Sequence, residues 1–178
     1  MQLFTDRLTL QTLCESDWAL FEKLHKDLSV IKYVADPMTT SEIQARFKSR
    51  LAAWSKTSSH WLTLSITETK TANPVGFTGF FPQWYPYQQA ELGFLISPEY
   101  QGKGYGKEST KAVIDFAFEQ CDFHKLTANV TEGNQACSQM LLALGFTQEA
   151  RLRDNFKLAD EWKTDLQFGM LKGDRLSN

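Results

Sequence analysis

The sequence predicts an α/β (α+β) fold built on a mixed, mostly antiparallel central sheet, and three observations point there. Period-two apolar alternation occurs near residues 7–11, 62–66, 75–81 and 91–96, and the last three stretches are joined by hairpin-length connections. Two aromatic-rich helical stripes lie between the first and second stretches. A glycine-rich loop feeds an amphipathic helix after the fourth, and a strand, a helix and two strands follow. The order βααβββαβαββ describes helices packed on a sheet rather than a doubly wound arrangement.

Each element has a local reason. Arg7 to Gln11 alternates as the first strand. Ser16 is placed to cap a helix whose Trp18, Phe21, Leu24 and Leu28 form one stripe, and Asp36-Pro37 interrupts the pattern. Thr39 and Glu42 have capping-box spacing and open a second helix with Ile43, Phe47, Leu51 and Trp54 on one face. Leu62, Leu64 and Ile66 mark the second strand, and Val75 to Phe81 the third. Between the third and fourth strands, Pro82 to Gln89 carries Trp84, Tyr85 and Tyr87 with two prolines; such an exposed aromatic loop serves either ligand or subunit contact. Past the central helix, Leu126, Ala128 and Val130 share one side of a strand. Asn134 then caps a helix with Cys137, Met140, Leu141 and Leu144 inward, closed by Gly145. Phe146 to Arg153 and Trp162 to Met170 are the last two strands, and the tail from Lys172 to Asn178 is expected to fray.

Composition narrows the function. The 178 residues suit one domain, residues 1–178, with one sizeable core. A net charge of −2 without a basic run gives no electrostatic reason to expect nucleic acid. Cys14, Cys121 and Cys137 are odd in number and far apart, and His25, His60 and His124 do not cluster, so neither a disulfide framework nor a metal centre is expected. No leader and no membrane span is expected, which makes the cytoplasm the default setting.

The chemistry centres on residues 91–118. Glu91, Gly93 and Leu95 alternate with Leu92, Phe94 and Ile96, Ser97-Pro98 ends the strand, and Gln101-Gly102-Lys103-Gly104-Tyr105-Gly106 leads into a helix expected from Lys107, with Val113, Ile114, Ala117 and Phe118 on one face. Glycines before a helix expose backbone N–H groups at the positive end of its dipole, which suits a phosphate. Two familiar phosphate loops do not fit. A Walker A loop needs glycine at position 101 and Ser or Thr at 108, where Gln101 and Glu108 stand. A dinucleotide fingerprint needs a third glycine at Lys107, early in the chain.

What fits is Gln-x-x-Gly-x-Gly, at Gln101, Gly104 and Gly106. It resembles the pyrophosphate loop of the GCN5-related N-acetyltransferase (GNAT) superfamily, which binds acetyl-CoA. Further residues carry the likeness almost end to end. Thr5, Arg7, Leu8 and Leu10 resemble the T-x-R-L-x-L opening of the RimJ/RimL-like branch. Asn134, Cys137, Gly145 and Phe146 have the spacing of its later signature, with cysteine where serine is usual, and Trp162 and Asp165 resemble its W-x-D strand.

The resemblance implies a GNAT fold in which parallel strands 4 and 5, here residues 92–96 and 126–130, splay apart. It implies that Phe94, Leu95 and Ile96 pair with the pantetheine arm of acetyl-CoA, as in strand addition. Gln101, Gly102, Lys103, Gly104, Tyr105, Gly106 and Lys107 would hold the pyrophosphate, and Asn134 and Cys137 would also touch the cosubstrate. It implies direct acetyl transfer to a primary amine, on a protein N-terminus or a small molecule. Glu91 is the candidate base, against a second reading as a solvated strand-end carboxylate. Cys137 is a candidate acid for the leaving thiolate, against a second reading as a small core residue. The backbone near Phe94 would polarise the carbonyl. Trp18, Tyr33 and Trp54 are candidates for the acceptor wall. A monomer or homodimer fits equally. Two other classes stay open: a non-catalytic acyl-CoA-binding or sensing domain, and a nucleotide-binding fold.

Overall fold

One sheet carries the chain. In a computed structural model, which describes residues 1–177, eight strands are seen among the described residues: β1 (Gln2–Phe4), β2 (Leu8–Thr12), β3 (Leu62–Glu68), β4 (Pro74–Gln83), β5 (Gln89–Ile96), β6 (Lys125–Thr131), β7 (Thr147–Leu158) and β8 (Glu161–Leu171). They lie in the order β1-β2-β3-β4-β5-β6-β8-β7. The helices are α1 (Trp18–Lys26), α2 (Leu28–Ile31), α3 (Thr40–Ser49), α4 (Tyr105–Glu119) and α5 (Gln135–Ala143). Neighbouring strands are antiparallel except β5 and β6, which the α4 crossover makes parallel.

The strands numbered 4 and 5 in the expected order are thus β5 and β6, because β1 adds an edge strand too short to show alternation. They pair only at Gln89↔Lys125, Ala90↔Leu126 and Glu91↔Thr127. From Leu92 onward β5 bonds β4 alone, while β6 continues against β8 as far as Thr131↔Asp165. The sheet opens there.

The two faces bury separate apolar clusters. Leu62, Leu64, Ile66, Phe80, Leu92 and Ile96 point towards α4, where Val113, Ile114, Ala117 and Phe118 meet them. Phe77 and, less deeply, Leu95 point the other way, onto Phe21, Leu24, Ile43 and Phe47 of α1 and α3. Period two in the strands and the helical stripes in α1, α3 and α4 are the two halves of this packing.

Four details of these elements depart from expectation. Ser16 lies within a 3₁₀ turn, Glu15–Asp17, and does not cap α1, whose N-cap is Asp17. Leu28 is not on the α1 stripe: Asp27 leaves helical geometry at φ −76°, ψ 107°, its carboxylate caps Ser29 N–H, and Leu28 is exposed in the separate turn α2. The second helix begins at its capping box, with Glu42 N–H donating to Thr39 Oγ1 at 3.3 Å, but ends at Ser49 with Arg50 as C-cap, so Trp54 lies beyond it. The tail forms a 3₁₀ helix, Lys172–Ser177, in which the Arg175 guanidinium pairs with Asp115 and Glu119 of α4. Asn178 lies outside the described residues. Among the described residues no helix is long and apolar enough to cross a membrane.

Candidate active site

A cavity of about 830 Å³ opens where β5 and β6 part. Glu91, Phe94 and Leu95 of β5, Asn129 and Thr131 of β6, Asn134 and Cys137 at α5, and Asp165 of β8 all line it. Five expected site residues therefore meet in one cleft. Ile96 and residues 101–107 do not line this cavity; they continue past the end of β5 to the start of α4.

The backbone direction of β5 follows from its bonds to β4. Ser97 N–H donates to Val75 O at 2.9 Å, and the Leu95 carbonyl oxygen abuts Gly76. Odd-numbered residues thus turn their peptide groups to β4, and alternation turns those of Leu92, Phe94 and Ile96 towards the splay. Leu95 offers its side chain to the cavity but its backbone is engaged. Phe94 presents a free N–H edge. The Ile96 carbonyl accepts from Gln101 Nε2 at 2.9 Å, which fastens the loop to the strand end.

The loop itself is set for an anion. Gly104 is the N-cap of α4 at φ 83°, a left-handed conformation that glycine adopts without a Cβ penalty. No side chain caps this N-terminus, so the N–H groups of its first turn are left as donors. The helix starts at Tyr105, two residues before the expected Lys107, because Gly106 is tolerated within a first turn. The Tyr105 hydroxyl donates to Glu68, which raises its pKa, and its ring lies 4.5 Å from the Arg7 guanidinium.

Sequence reasoning missed what holds this loop. Glu108 accepts from Thr5 Oγ1 at 2.6 Å, from Arg7 N–H at 3.0 Å and from Arg7 Nε at 2.6 Å, while Arg7 Nη1 reaches Lys103 O at 3.1 Å. Burial acts to raise the Glu108 pKa, but the bonds from Thr5 and Arg7 outweigh it and hold the carboxyl below its usual range. The N-terminal T-x-R motif is therefore a brace for the α4 N-terminus; the signal available in sequence was the carboxylate directly after Lys107. Glu108→Ala is expected to cost about 2 kcal/mol in urea unfolding, since it removes charge-assisted hydrogen bonds from a largely shielded side chain. The contribution is present above the unfolded carboxylate pKa and is lost as pH falls through the depressed folded value.

The polar groups of the cleft converge on Glu91. Asn129 Nδ2 donates to Glu91 Oε1 at 3.3 Å, and Asp165, bonded to Asn155 at 3.0 Å, adds a like charge. Burial, with Asp165 assisting, raises the Glu91 pKa against the opposing Asn129 bond. Across the gap, Asn134 Oδ1 accepts from Cys137 N–H at 3.3 Å as the cap of α5. Burial pushes the Cys137 thiol up to about 11, so it holds its proton at neutral pH. The same side chain packs against the α4-side core and lines the cavity, so its two readings are compatible.

Of the candidate acceptor-wall aromatics, only Tyr33 lines the cavity, positioned by Thr131 Oγ1 donating to Tyr33 O at 2.7 Å. Trp18 packs edge-on to Phe47 at 5.4 Å and Trp54 edge-on to Phe80 at 5.3 Å. In the aromatic loop, Trp84 packs on Phe123 while Tyr85 and Tyr87 are exposed away from the cleft lining. Arg46, Arg50 and Trp61 line the α3 side and had no sequence signal.

Residues 7–147 match the acetyltransferase (GNAT) domain family. The chain belongs to that family. It is 26% identical over 170 residues to the uncharacterized N-acetyltransferase p20 of Bacillus licheniformis, covering 96% of each chain. It is 30% identical over 81 residues to the spermidine N(1)-acetyltransferase of Escherichia coli, which is 46% of this chain and 44% of that one. Its fold is similar to a spermidine N-acetyltransferase from Vibrio cholerae in complex with CoA and spermine, with a TM-score of 0.85 and 20% identity over 97% of this chain and 99% of that one. GNAT acetyltransferases use acetyl-CoA. The residues here fit that molecule: the uncapped α4 N-terminus suits its pyrophosphate, Gly102 faces open space, and the splayed β5 edge offers unpaired peptide groups to its amide-bearing arm.

Proposed function

We propose that this chain is an acetyl-CoA-dependent N-acetyltransferase of the RimJ/RimL-like branch that passes acetyl directly to a primary amine, on a protein N-terminus or a small molecule. The observation that carries the proposal is Glu91, half-buried where the parallel pair ends and facing the Cys137 helix across the cleft. A protonated alkyl amine titrates near 10.4 and must lose its proton before it can attack. Glu91, made more basic by burial, accepts that proton, directly or through a water. The Phe94 N–H, free on the splayed edge, donates to the carbonyl oxygen as charge grows on it. Acetyl-CoA supplies the activated acyl group. The Cys137 thiol, protonated at neutral pH, gives its proton towards the departing sulfur and is reprotonated by the proton that the nitrogen sheds as the amide forms. Phe94 and Ile96 bind the pantetheine, residues 101–107 hold the pyrophosphate, and Asn134 orients Cys137. The free cysteines support the cytoplasm as the setting.

An acceptor screen that follows CoA release, with peptides and small amines side by side, tests the reading. Turnover of at least one amine is expected, and Cys137→Ala is expected to lower kcat with little change in KM for acetyl-CoA. Tight acetyl-CoA binding without turnover of any amine would favour a non-catalytic acyl-CoA-binding domain.

A further inference from the structure

The α3 side of the cleft holds a half-buried cation without an anion among the described residues. Arg50, the C-cap of α3, lies with its guanidinium 5.6 Å from the Phe21 ring centroid and 5.3 Å from that of Trp61. Among the described residues it has no carboxylate partner; burial, then the Arg46 charge, lowers its pKa to about 10, so it is still protonated at neutral pH. Arg46, one turn earlier, lines the same cavity, and buried His25, whose Nδ1 is 2.8 Å from Phe21 O, is held neutral with a pKa of about 4. Thr63, only 4% exposed, also lines the cavity, and its hydroxyl has no partner among the described residues.

A charge drawn partly out of water is ordinarily paired, because desolvation is costly. The rings stabilise the guanidinium and the C-terminal carbonyls of α3 offset part of its charge. Neither replaces an acceptor for the planar fork of N–H donors. The position of the missing acceptor follows from Trp61. A Cβ on Gly93 would come within 2.9 Å of the Trp61 ring, so this ring lies on Gly93, on the same face of β5 as Glu91 and two residues along. Arg50 and Glu91 thus address neighbouring positions of one groove, with the strand levels about 7 Å apart.

We propose that the acceptor is an amine that also carries an anionic group, a carboxylate or a phosphate, held by Arg50 with Arg46 and the Thr63 hydroxyl while its amine lies at Glu91. The inference rests on the transferase reading above for the role of Glu91. It separates this chain from enzymes whose acceptors are polycations.

Matched acceptors test it: glutamate against its diamide, and phosphoethanolamine against ethanolamine, with spermidine alongside. The anionic member of at least one pair is expected to have a kcat/KM about tenfold or more above its neutral partner, and which pair responds tells carboxylate from phosphate. In Arg50→Gln that ratio is expected to fall towards one through the acceptor KM, with the KM for acetyl-CoA held. Arg50→Lys keeps the charge but not the fork, is expected to hold an intermediate ratio, and serves if Arg50→Gln does not fold. Equal turnover within both pairs, a ratio unmoved by Arg50→Gln, or a preference for spermidine overturns the proposal. If no amine of this panel and none of the peptides and amines in the acceptor screen turns over, the transferase reading fails on that result alone. Calorimetry with N-acetylglutamate and N-acetyl-phosphoethanolamine then decides the anion subsite: binding lost in Arg50→Gln upholds it, and no binding to the unsubstituted protein overturns it.

Discussion

Glu91→Gln is expected to lower kcat/KM for the best acceptor by roughly a hundred- to ten-thousand-fold, the range that a positioned general base contributes. The amide keeps the shape of the side chain and can still bond Asn129, so the loss isolates proton acceptance from packing. The pH profile carries the stronger signature. Glu91 acts as a base only when ionised, so the rate is expected to rise with pH through its titration. Burial, with Asp165 assisting, raises that titration, which places the limb above the ordinary carboxylate range. The variant is expected to lose the limb. Stability moves the other way. A carboxyl whose folded pKa is raised releases its proton more readily in the unfolded chain, so stability falls as pH rises from the unfolded to the folded value. Glu91→Gln is therefore expected to raise Tm at pH 7 and leave it nearly unchanged well below pH 4. A variant that keeps both its rate and its acid limb rules out this role for Glu91.

The parts of this fold that sequence made legible are those written in local physics. These strands alternate large apolar residues with small or polar ones although both faces are covered, so β3, β4 and β5 could be read from Leu62, Leu64, Phe80 and Leu92. A backbone anion site needs glycines before a helix, so Gly102, Gly104 and Gly106 announced themselves. The Thr39–Glu42 box marked the start of α3 because both partners lie within one turn. What stayed hidden depends on distance along the chain. Asn129 meets Glu91 from 38 residues away across a parallel ladder that lasts only three pairs. Glu108 reaches Thr5 and Arg7 from more than 100 residues away. Arg50 carried no signal in the sequence, because its place beside Phe21 and Trp61 depends on α3 ending at Ser49. Apolar periodicity assigns faces of single elements; it does not say which polar side chains the two clusters bring together.

Phe80→Ala is expected to destabilise the fold by about 3–5 kcal/mol, more than the loss of the Glu108 brace. Phe80 is fully buried on β4 directly opposite Leu92 of β5, and its ring meets Trp54 at 5.3 Å, Phe123 at 5.4 Å and Phe116 of α4 at 6.3 Å. Truncation removes the transfer free energy of a large ring and also leaves a void among three aromatic neighbours, whose places are fixed by α4 and the flanking loops, so collapse into it is limited. For a chain of this size the loss corresponds to a fall in Tm of roughly 10 °C. The effect extends to the site, because among the described residues the β4–β5 ladder is the only strand pairing that holds β5 once β6 has turned away. A rise in KM for acetyl-CoA is therefore expected at temperatures where the variant is still folded, while kcat changes less. Phe80→Leu, which refills most of the void, is expected to recover more than half of the stability. Urea denaturation of the three proteins measures this directly; a loss below about 1 kcal/mol for Phe80→Ala would mean that α4 and the meander are held together elsewhere.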